Sequence, residues 1–273
     1  MRRSPRLLTA ATALATSAAL LLVASPAGAA AAWTQADSEK FNTIYALQRS
    51  QGAATDGTDW FFSWKSGLSR VSMDYSKTYD TDNSAIPDAI ADQGGDHIGD
   101  IAQYAGKLYA PIEDKNYAHP WVCEYSAATL DHTGVCHALP VNASGQTHAS
   151  WIAVDPAKGL AYTTDFDGVN TLRVLRLSDF SLVRTVPLSA TLDDVQGGDL
   201  HEGQLYLTSN DGDKSVNRVD PVSGQVTREF EQDLDLVSEA EGVVVLPRPD
   251  GSFLHTLDVS WNLWVNFRSY KRG

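Results

Sequence analysis

The sequence predicts an all-β fold, a five-bladed β-propeller, from a repeated four-strand unit. A Gly-x-Leu-Tyr strand recurs as GKLYAPIED (106–114) and GQLYLTSND (203–211), with a weaker copy, GLAYTTDF, at 159–166. Each copy is preceded by a short polar-to-small segment and followed by two further strand-like segments. Four strands in roughly 40 to 50 residues is the spacing of propeller blades. No long stretch of the chain has helical periodicity.

Two flanking segments bring the count to five blades. Residues 51–82 match the four-strand template, whereas residues 239–270 supply only three strands. The segment FNTIYALQ (41–48) is a spare strand that we expect to complete the last blade, since closing the ring removes exposed sheet edges. Just before it, TQADSEKF (34–41) is the one stretch suited to a helical turn. A six-bladed or irregular propeller is the alternative count, and an antiparallel sandwich is the competing fold.

The first 32 residues predict a secretory signal, which leaves residues 33–273 as one propeller domain. The basic start MRRSPR precedes the apolar stretch LLTAATALATSAALLLVA, and Ala27-Gly28-Ala29 fits a signal-peptidase site. An uncleaved anchor is the weaker interpretation, because the apolar stretch is rich in Ala and Thr and ends at Pro26 and Gly28. No later stretch is apolar enough to span a bilayer, so we expect a secreted protein.

The net charge of the chain limits the classes of partner that it can bind. The formal net charge of −13 becomes −16 once the three leader arginines are removed, which argues against nucleic acid. It is compatible with a bound cation or simply with a well-solvated monomer that takes a small-molecule ligand.

Cys123 and Cys136 are the only cysteines. In an oxidising compartment they predict one disulfide, which would staple a hairpin.

Propeller geometry predicts a first set of residues at the channel mouth, where the inner strand of each blade begins. These residues are Gln51, His97, His148, Gln196, and Glu239 or Glu241. HIGDIAQY and HASWIAVD align without a gap, so His97 and His148 should occupy equivalent places on adjacent blades. Both are candidate catalytic residues, since a neutral imidazole can act as a general base near neutral pH. Alternatively, they fix turns or line a water-filled channel.

A second set follows the second strand of each blade, on the same face. It consists of Trp64, Glu113 or Asp114, Asp165 or Asp167, Asn210 or Asp211, and Asp258. Glu241, Glu113, Asp165 and Asp211 are candidate ligands of a divalent cation, with Ca²⁺ favoured because it takes several oxygen ligands. Gln51, Gln196 and Asp258 are candidate substrate contacts, and Trp64 and Trp151 could form an apolar wall. Acidic runs such as TSNDGDK serve turns equally well.

The segments DHIGDIAQYAGKLYAPIED, ASWIAVDPAKGLAYTTD and SEAEGVVVLPRPDGSFLHTL resemble a broad propeller superfamily. It contains gluconolactonase-type, strictosidine-synthase-like and arylesterase-like proteins. The resemblance implies a divalent cation, usually calcium, held at the channel mouth by acidic and amide side chains. Glu241 matches the glutamate at an inner-strand entry. Those relatives are typically six-bladed and lack the two entry histidines.

Three functions are compatible with these residues. The first is an exported hydrolase of a small ester, lactone or phosphodiester, with a divalent cation polarising the substrate and His97 or His148 as general base. The second is a non-catalytic propeller that binds a sugar, peptide or envelope component; a purely structural surface module is a third. No Gly-x-Ser-x-Gly, phosphate-loop or His-Glu-x-x-His motif occurs, so the chain lacks the common hydrolase and nucleotide signatures.

Overall fold

Five antiparallel sheets follow one another along the chain and confirm the predicted five-bladed propeller. The computed structural model describes residues 32–42, 44–260 and 264–273. The predicted signal, residues 1–32, lies outside the described residues except for Ala32. Within the described part of the chain, no helix is both long and apolar enough to cross a membrane.

Each blade is a short up-and-down sheet. Blade 1 consists of β2 (Gly52–Thr55), β3 (Asp59–Trp64), β4 (Gly67–Ser72) and β5 (Thr78–Asp82). Blade 2 consists of β6 (Gly95–Ile98), β7 (Ala102–Tyr104), β8 (Lys107–Asp114), β9 (Trp121–Ser126) and β10 (His132–Ala138), in which β6 and β7 together form the inner edge. Blade 3 consists of β11 (Ala153–Asp155), β12 (Leu160–Thr163), β13 (Val169–Arg176) and β14 (Leu182–Leu192).

The last two blades have the same order. Blade 4 consists of β15 (Val195–His201), β16 (Gln204–Ser209), β17 (Ser215–Val219) and β18 (Val226–Glu231). Blade 5 consists of β19 (Ser238–Val245), β20 (Ser252–Ser260), β21 (Trp264–Arg272) and the N-terminal β1 (Trp33–Asn42). The two described helices are single turns, α1 (Ile44–Leu47) and α2 (Asp88–Ala91).

The N-terminal strand completes the last blade as predicted, but in a different place. It is β1 at 33–42 that pairs with β21, whereas 44–47 of the predicted strand forms α1. The stretch 34–41, predicted as a helical turn, is therefore strand. Its side chains are mostly exposed and polar, which suits the outer edge of a sheet. Pairing with β21 outweighs the weak local pattern.

Aromatic and aliphatic side chains pack between neighbouring blades. All six residues of β3 are buried, and Trp60 meets Phe267 of blade 5 edge to face at 4.9 Å between ring centroids. Phe62 meets the same ring at 5.3 Å. Edge-to-face contacts of this kind add to the free energy gained by burying the rings. They join the first blade of the ring to the last.

The predicted disulfide is present. Cys123 of β9 and Cys136 of β10 lie directly opposite each other in the strand register, with their Cα atoms 4.1 Å apart. The bond therefore staples the two outer strands of blade 2. His132 lies beside it, with Nε2 3.2 Å from the Cys136 sulfur.

One buried aspartate joins the inner edges of all five blades. Asp100 lies between β6 and β7 and is 1% exposed. Its Oδ1 accepts the N–H of Ala53 in blade 1 at 2.9 Å, and its Oδ2 accepts those of Gly198 in blade 4 at 3.0 Å and Val243 in blade 5 at 3.2 Å. Its own N–H donates to the Ser150 carbonyl of blade 3 at 2.7 Å. Asp100 thus fills the centre of the ring.

Glycines make this close approach possible. A Cβ atom on Gly52 would lie 2.4 Å from the Cα of Asp100, and one on Gly242 would lie 2.6 Å from its Oδ1. A Cβ on Gly197 would lie 2.8 Å from its Oδ2. Side chains at these three positions would push the blades apart, so three inner strands carry glycine where they face Asp100.

Removing the acceptor capacity of Asp100 should loosen the ring. In Asp100→Asn one carboxylate oxygen becomes an NH₂ group, which leaves a buried backbone N–H without an acceptor. We expect the free energy of unfolding to fall by about 1–3 kcal/mol, measured by urea denaturation. The matched control is Asp96→Asn in β6, whose carboxylate makes only an exposed 3.8 Å ion pair with Lys65. Equal stabilities of the two variants would contradict this role.

Candidate functional site

A cavity of about 280 Å³ opens on the side of the ring where the inner strands begin. We call it the mouth cavity. Five sequence-predicted residues line it: Gln51, His97, Glu113, His148 and Gln196. A sixth lining residue, Asp167, is the predicted alternative to Asp165, and four others were not predicted: Gly99, Tyr117, Ser150 and Phe166. The repeat brings the first group together, because equivalent positions on successive blades face one axis. Their roles in binding or catalysis stay predictions.

Glu113 lies between the two histidines. It is opposite His97 in the β6–β8 register, and its Oε1 is 4.0 Å from Nδ1 of His97. Its Oε2 is 3.6 Å from Nδ1 of His148 and accepts the N–H of Ala149 at 2.8 Å. That backbone bond fixes the carboxylate against blade 3. Both imidazoles therefore present the same ring nitrogen to a single, largely buried carboxylate.

The two histidines differ in what holds their second nitrogen. Nε2 of His97 is 2.6 Å from Oε1 of Gln51, so a neutral His97 donates its Nε2 proton to that amide. Burial lowers the pKa of His97, and the charge of Glu113 only partly opposes this. For His148, no hydrogen-bond partner of Nε2 occurs among the residues that the structure describes. With Nδ1–H directed to Glu113, that Nε2 carries a lone pair able to accept a proton.

A short loop after β8 places an aromatic ring on His148. Oδ1 of Asp114 accepts the N–H of Asn116 at 2.7 Å, and Oδ2 accepts the N–H of His119 at 2.7 Å. The loop turns through Tyr117, which has a φ of 57°. The centroid of its ring lies 3.6 Å from that of His148, at 31° between the planes. Burial raises the pKa of Tyr117, as do the charges of Glu113 and Asp167. Its hydroxyl therefore stays a donor.

Three residues predicted to contact substrate lie outside the mouth cavity. Trp151 is fully buried and donates its indole N–H to Oγ1 of Thr164 at 3.0 Å. Trp64 packs over Gly67, where an added Cβ would lie 2.1 Å from the indole. Asp258 is also fully buried and is ion-paired with Arg268 of β21. All three serve packing between or within blades, so the geometry gives no support to their predicted contact with a ligand.

The four predicted cation ligands are not gathered at one point. Asp165 is ion-paired with Arg173. Asp211 accepts hydrogen bonds from the backbone N–H and the side-chain hydroxyl of Ser215. Glu241 is 2% exposed, and burial raises its pKa well above the ordinary range, reinforced by Glu239 and Asp100. Within the described ranges, the one cluster of three His, Cys or acidic ligand atoms within 4.8 Å is Cys123–His132–Cys136, which is closed by the disulfide.

The missed residues come from loops rather than from the repeat. Tyr117 follows the predicted Glu113 by four positions, whereas Asp167 is the predicted alternative to Asp165. Phe166 lies between those two acidic residues and stacks on His148 at 5.3 Å. An aromatic residue in the loops after the second strands of blades 2 and 3 was the available signal. Its direction depends on the loop conformation, which the repeat does not encode.

Comparison with known proteins gives a distant match in fold alone. No protein-family model matches the sequence, and no curated protein matches it. Among solved structures, the chain is similar to a chain in the crystal structure of a mitotic checkpoint complex. The TM-score is 0.46, with 10% identity over 95% of this chain and 98% of that chain.

Proposed function

We propose that the protein is an exported hydrolase that cleaves a neutral ester or lactone in the mouth cavity, with His148 as general base. The observation that carries the proposal is the placement of Glu113 between two imidazoles, with Nε2 of His148 left without a partner among the described residues. A base oriented by a carboxylate is the arrangement that general-base catalysis needs. The 3.6 Å separation tightens to a hydrogen bond with a small ring rotation, as is common when substrate binds.

The reaction balances with water as the nucleophile. Nε2 of His148 takes one proton from a water molecule while the water oxygen bonds to the ester carbonyl carbon. Glu113 stabilises the imidazolium, and the hydroxyl of Tyr117 and the amide of Gln196 can donate hydrogen bonds to the oxyanion. The bond from carbon to the leaving oxygen then breaks, and that oxygen takes the proton from His148. A carboxylic acid and an alcohol result, or a hydroxy acid when the substrate is a lactone.

The charge of the cavity favours a neutral substrate. None of its described lining residues is Lys or Arg, whereas Glu113 and Asp167 are acidic. Asp194 hydrogen-bonds Asp167, and its pKa is raised to about 6 by burial and then by Asp167 and Asp193. Above that pH the Asp194 carboxylate adds a further negative charge, which repels anions. This favours an ester or lactone over the phosphodiester that the sequence left open.

A divalent cation does not enter this proposal. The carboxylates predicted to hold it are separately ion-paired, hydrogen-bonded or buried, and oxygen ligands of Ca²⁺ must converge within about 2.3–2.6 Å of the ion. Membership of the gluconolactonase-type superfamily also stays a proposal. Glu241 occupies the inner-strand entry expected from that resemblance, but the five blades depart from its usual six.

The second candidate is a secreted propeller that binds a neutral or cationic ligand without cleaving it. One observation favours it: the only hydroxyl of a serine in the cavity lining, that of Ser150, donates to the Val195 carbonyl at 2.8 Å and is buried. The described lining therefore offers no free serine nucleophile. Catalysis would depend entirely on activated water, whereas binding needs only the donors and acceptors already present.

Replacing His148 separates the two candidates. We expect His148→Gln to lower kcat/KM for p-nitrophenyl esters by about 10²–10⁴-fold, because general-base catalysis contributes that much. The matched control is His201→Gln, a half-buried histidine of blade 4 that does not line the mouth cavity. Full activity in His148→Gln would contradict the role of His148 as general base. If the wild type cleaves no ester or lactone, the binding candidate replaces the hydrolase.

The carboxyl pair predicts a pH dependence of stability. Asp194 keeps its proton up to about pH 6 in the folded chain, whereas an unfolded Asp loses it near pH 4. At this group the native state binds more protons in this window, so the contribution of Asp194 to the free energy of unfolding should fall as pH rises from about 4 to about 6. Asp194→Asn should reduce that slope, since Asn tolerates its φ of 50°. The control Asp235→Asn, at an exposed position, should leave the slope unchanged. Urea denaturation at a series of pH values measures both slopes, and equal slopes in the two variants would contradict the role of Asp194.

A further inference from the structure

A second cavity of about 360 Å³ lies over the outer part of blade 3. We call it the side groove; Val141, Asn142, Asp165, Val169, Arg173 and Leu182 are among its lining residues. A smaller cavity of about 170 Å³ shares Tyr117, His148 and Asp167 with the mouth cavity and Asn142, Asp165 and Asp167 with the side groove. The three spaces therefore adjoin one another between His148 and blade 3.

An unsatisfied donor lies in the wall of the side groove. The side chain of Arg173 is only 9% exposed, and its Nη2 donates to Oδ1 of Asp165. Its Nη1 is buried and has no hydrogen-bond partner among the described residues. Buried polar groups without a partner are rare in folded proteins, and each one needs an explanation. An oxygen acceptor on a bound molecule would supply the missing partner once the guanidinium turns its Nη1 toward the groove, which Arg173 lines.

The rest of the groove defines the chemistry of that molecule. Val141 and Leu182 are each 47% exposed, and together with Val169 they form apolar walls. The positive charge of Arg173 is already balanced by Asp165, so the groove gives no net attraction to an anion. Exposed apolar side chains beside a satisfied ion pair suit an uncharged chain or ring that carries one oxygen acceptor.

We infer that the side groove is a specificity subsite for the acyl group of the substrate, and that it takes an elongated, uncharged acyl chain bearing a carbonyl, ether or hydroxyl oxygen for Arg173. This inference rests on the proposed function for the scissile bond, which lies in the mouth cavity beside His148. The acyl chain passes Tyr117 and Asn142 to reach the apolar walls. Short acyl groups leave the groove unfilled.

The chain-length preference tests the apolar walls. We expect the ratio of kcat/KM for p-nitrophenyl octanoate to that for p-nitrophenyl acetate to fall about tenfold or more in Leu182→Asn. The matched control is Val183→Asn: Val183 neighbours Leu182 on β14, is equally exposed, and does not line the groove. Its ratio should equal that of the wild type. Equal ratios in all three proteins would overturn the subsite.

The donor is tested by a set of p-nitrophenyl oxo-octanoates that differ in the position of the oxo group. The wild type should prefer at least one of them to plain octanoate, since a site with a free donor discriminates against ligands lacking the acceptor. The double variant Asp165→Asn/Arg173→Met, which strands no buried charge, should lose this preference. Thermal melting checks that it folds. A preference that survives in the folded double variant would overturn the role of Arg173.

A binding measurement separates failure of this inference from failure of the proposed hydrolase. 2-Decanone is a neutral ketone that cannot be hydrolysed, and its binding can be followed by calorimetry. It should bind the wild type and Val183→Asn alike, and Leu182→Asn about tenfold more weakly or worse. This binding pattern without any esterase activity would support ligand binding in the side groove and contradict the proposed hydrolase. Ester hydrolysis with equal ketone binding in all three proteins would support the hydrolase and contradict the side groove as a subsite.

Discussion

The ring is organised around a single buried carboxylate. Asp100 accepts backbone N–H groups from blades 1, 4 and 5 and bonds through its own backbone to blade 3. Burial raises its pKa well above the ordinary range, which three backbone donors only partly offset. The free energy needed to bury it is supplied by these bonds and by the packing that they permit. Because one carboxylate oxygen serves blade 1 and the other serves blades 4 and 5, the carboxylate sets how closely these blades approach the axis.

That constraint also determines where a ligand can bind. With Asp100 and its surrounding glycines filling the centre, the mouth cavity and a smaller cavity lined by Ala53, Ile101 and Val245 lie at different levels of the inner strands. Gly99, directly before Asp100, belongs to the mouth lining. The histidines and Glu113 thus stand above a rigid floor, and rigid support is what a preorganised polar site requires. The smaller cavity that adjoins the side groove lies beside His148.

Positions fixed by the repeat could be predicted from the sequence, and positions fixed by loops could not. His97 and His148 were found because two inner strands align without a gap, and Glu113 because it ends a second strand. Asp100 stands in the same alignment, opposite Trp151, yet its role depends on glycines in three other blades. Tyr117 depends on a loop closed by Asp114, and β1 on pairing with a strand more than two hundred residues away. These are tertiary constraints that no local pattern carries.

The most direct test of the hydrolase site is a crystal structure with 1,1,1-trifluoro-2-decanone. Its neutral hydrate resembles the tetrahedral intermediate of ester hydrolysis and carries an eight-carbon chain. We predict a hydrate oxygen within hydrogen-bond distance of Nε2 of His148 and a second oxygen facing Gln196 or Tyr117. The chain should lie in the side groove beside Leu182. Binding in the cavity lined by Ala53 and Val245, or a hydrate that leaves His148 uncontacted, would contradict this prediction.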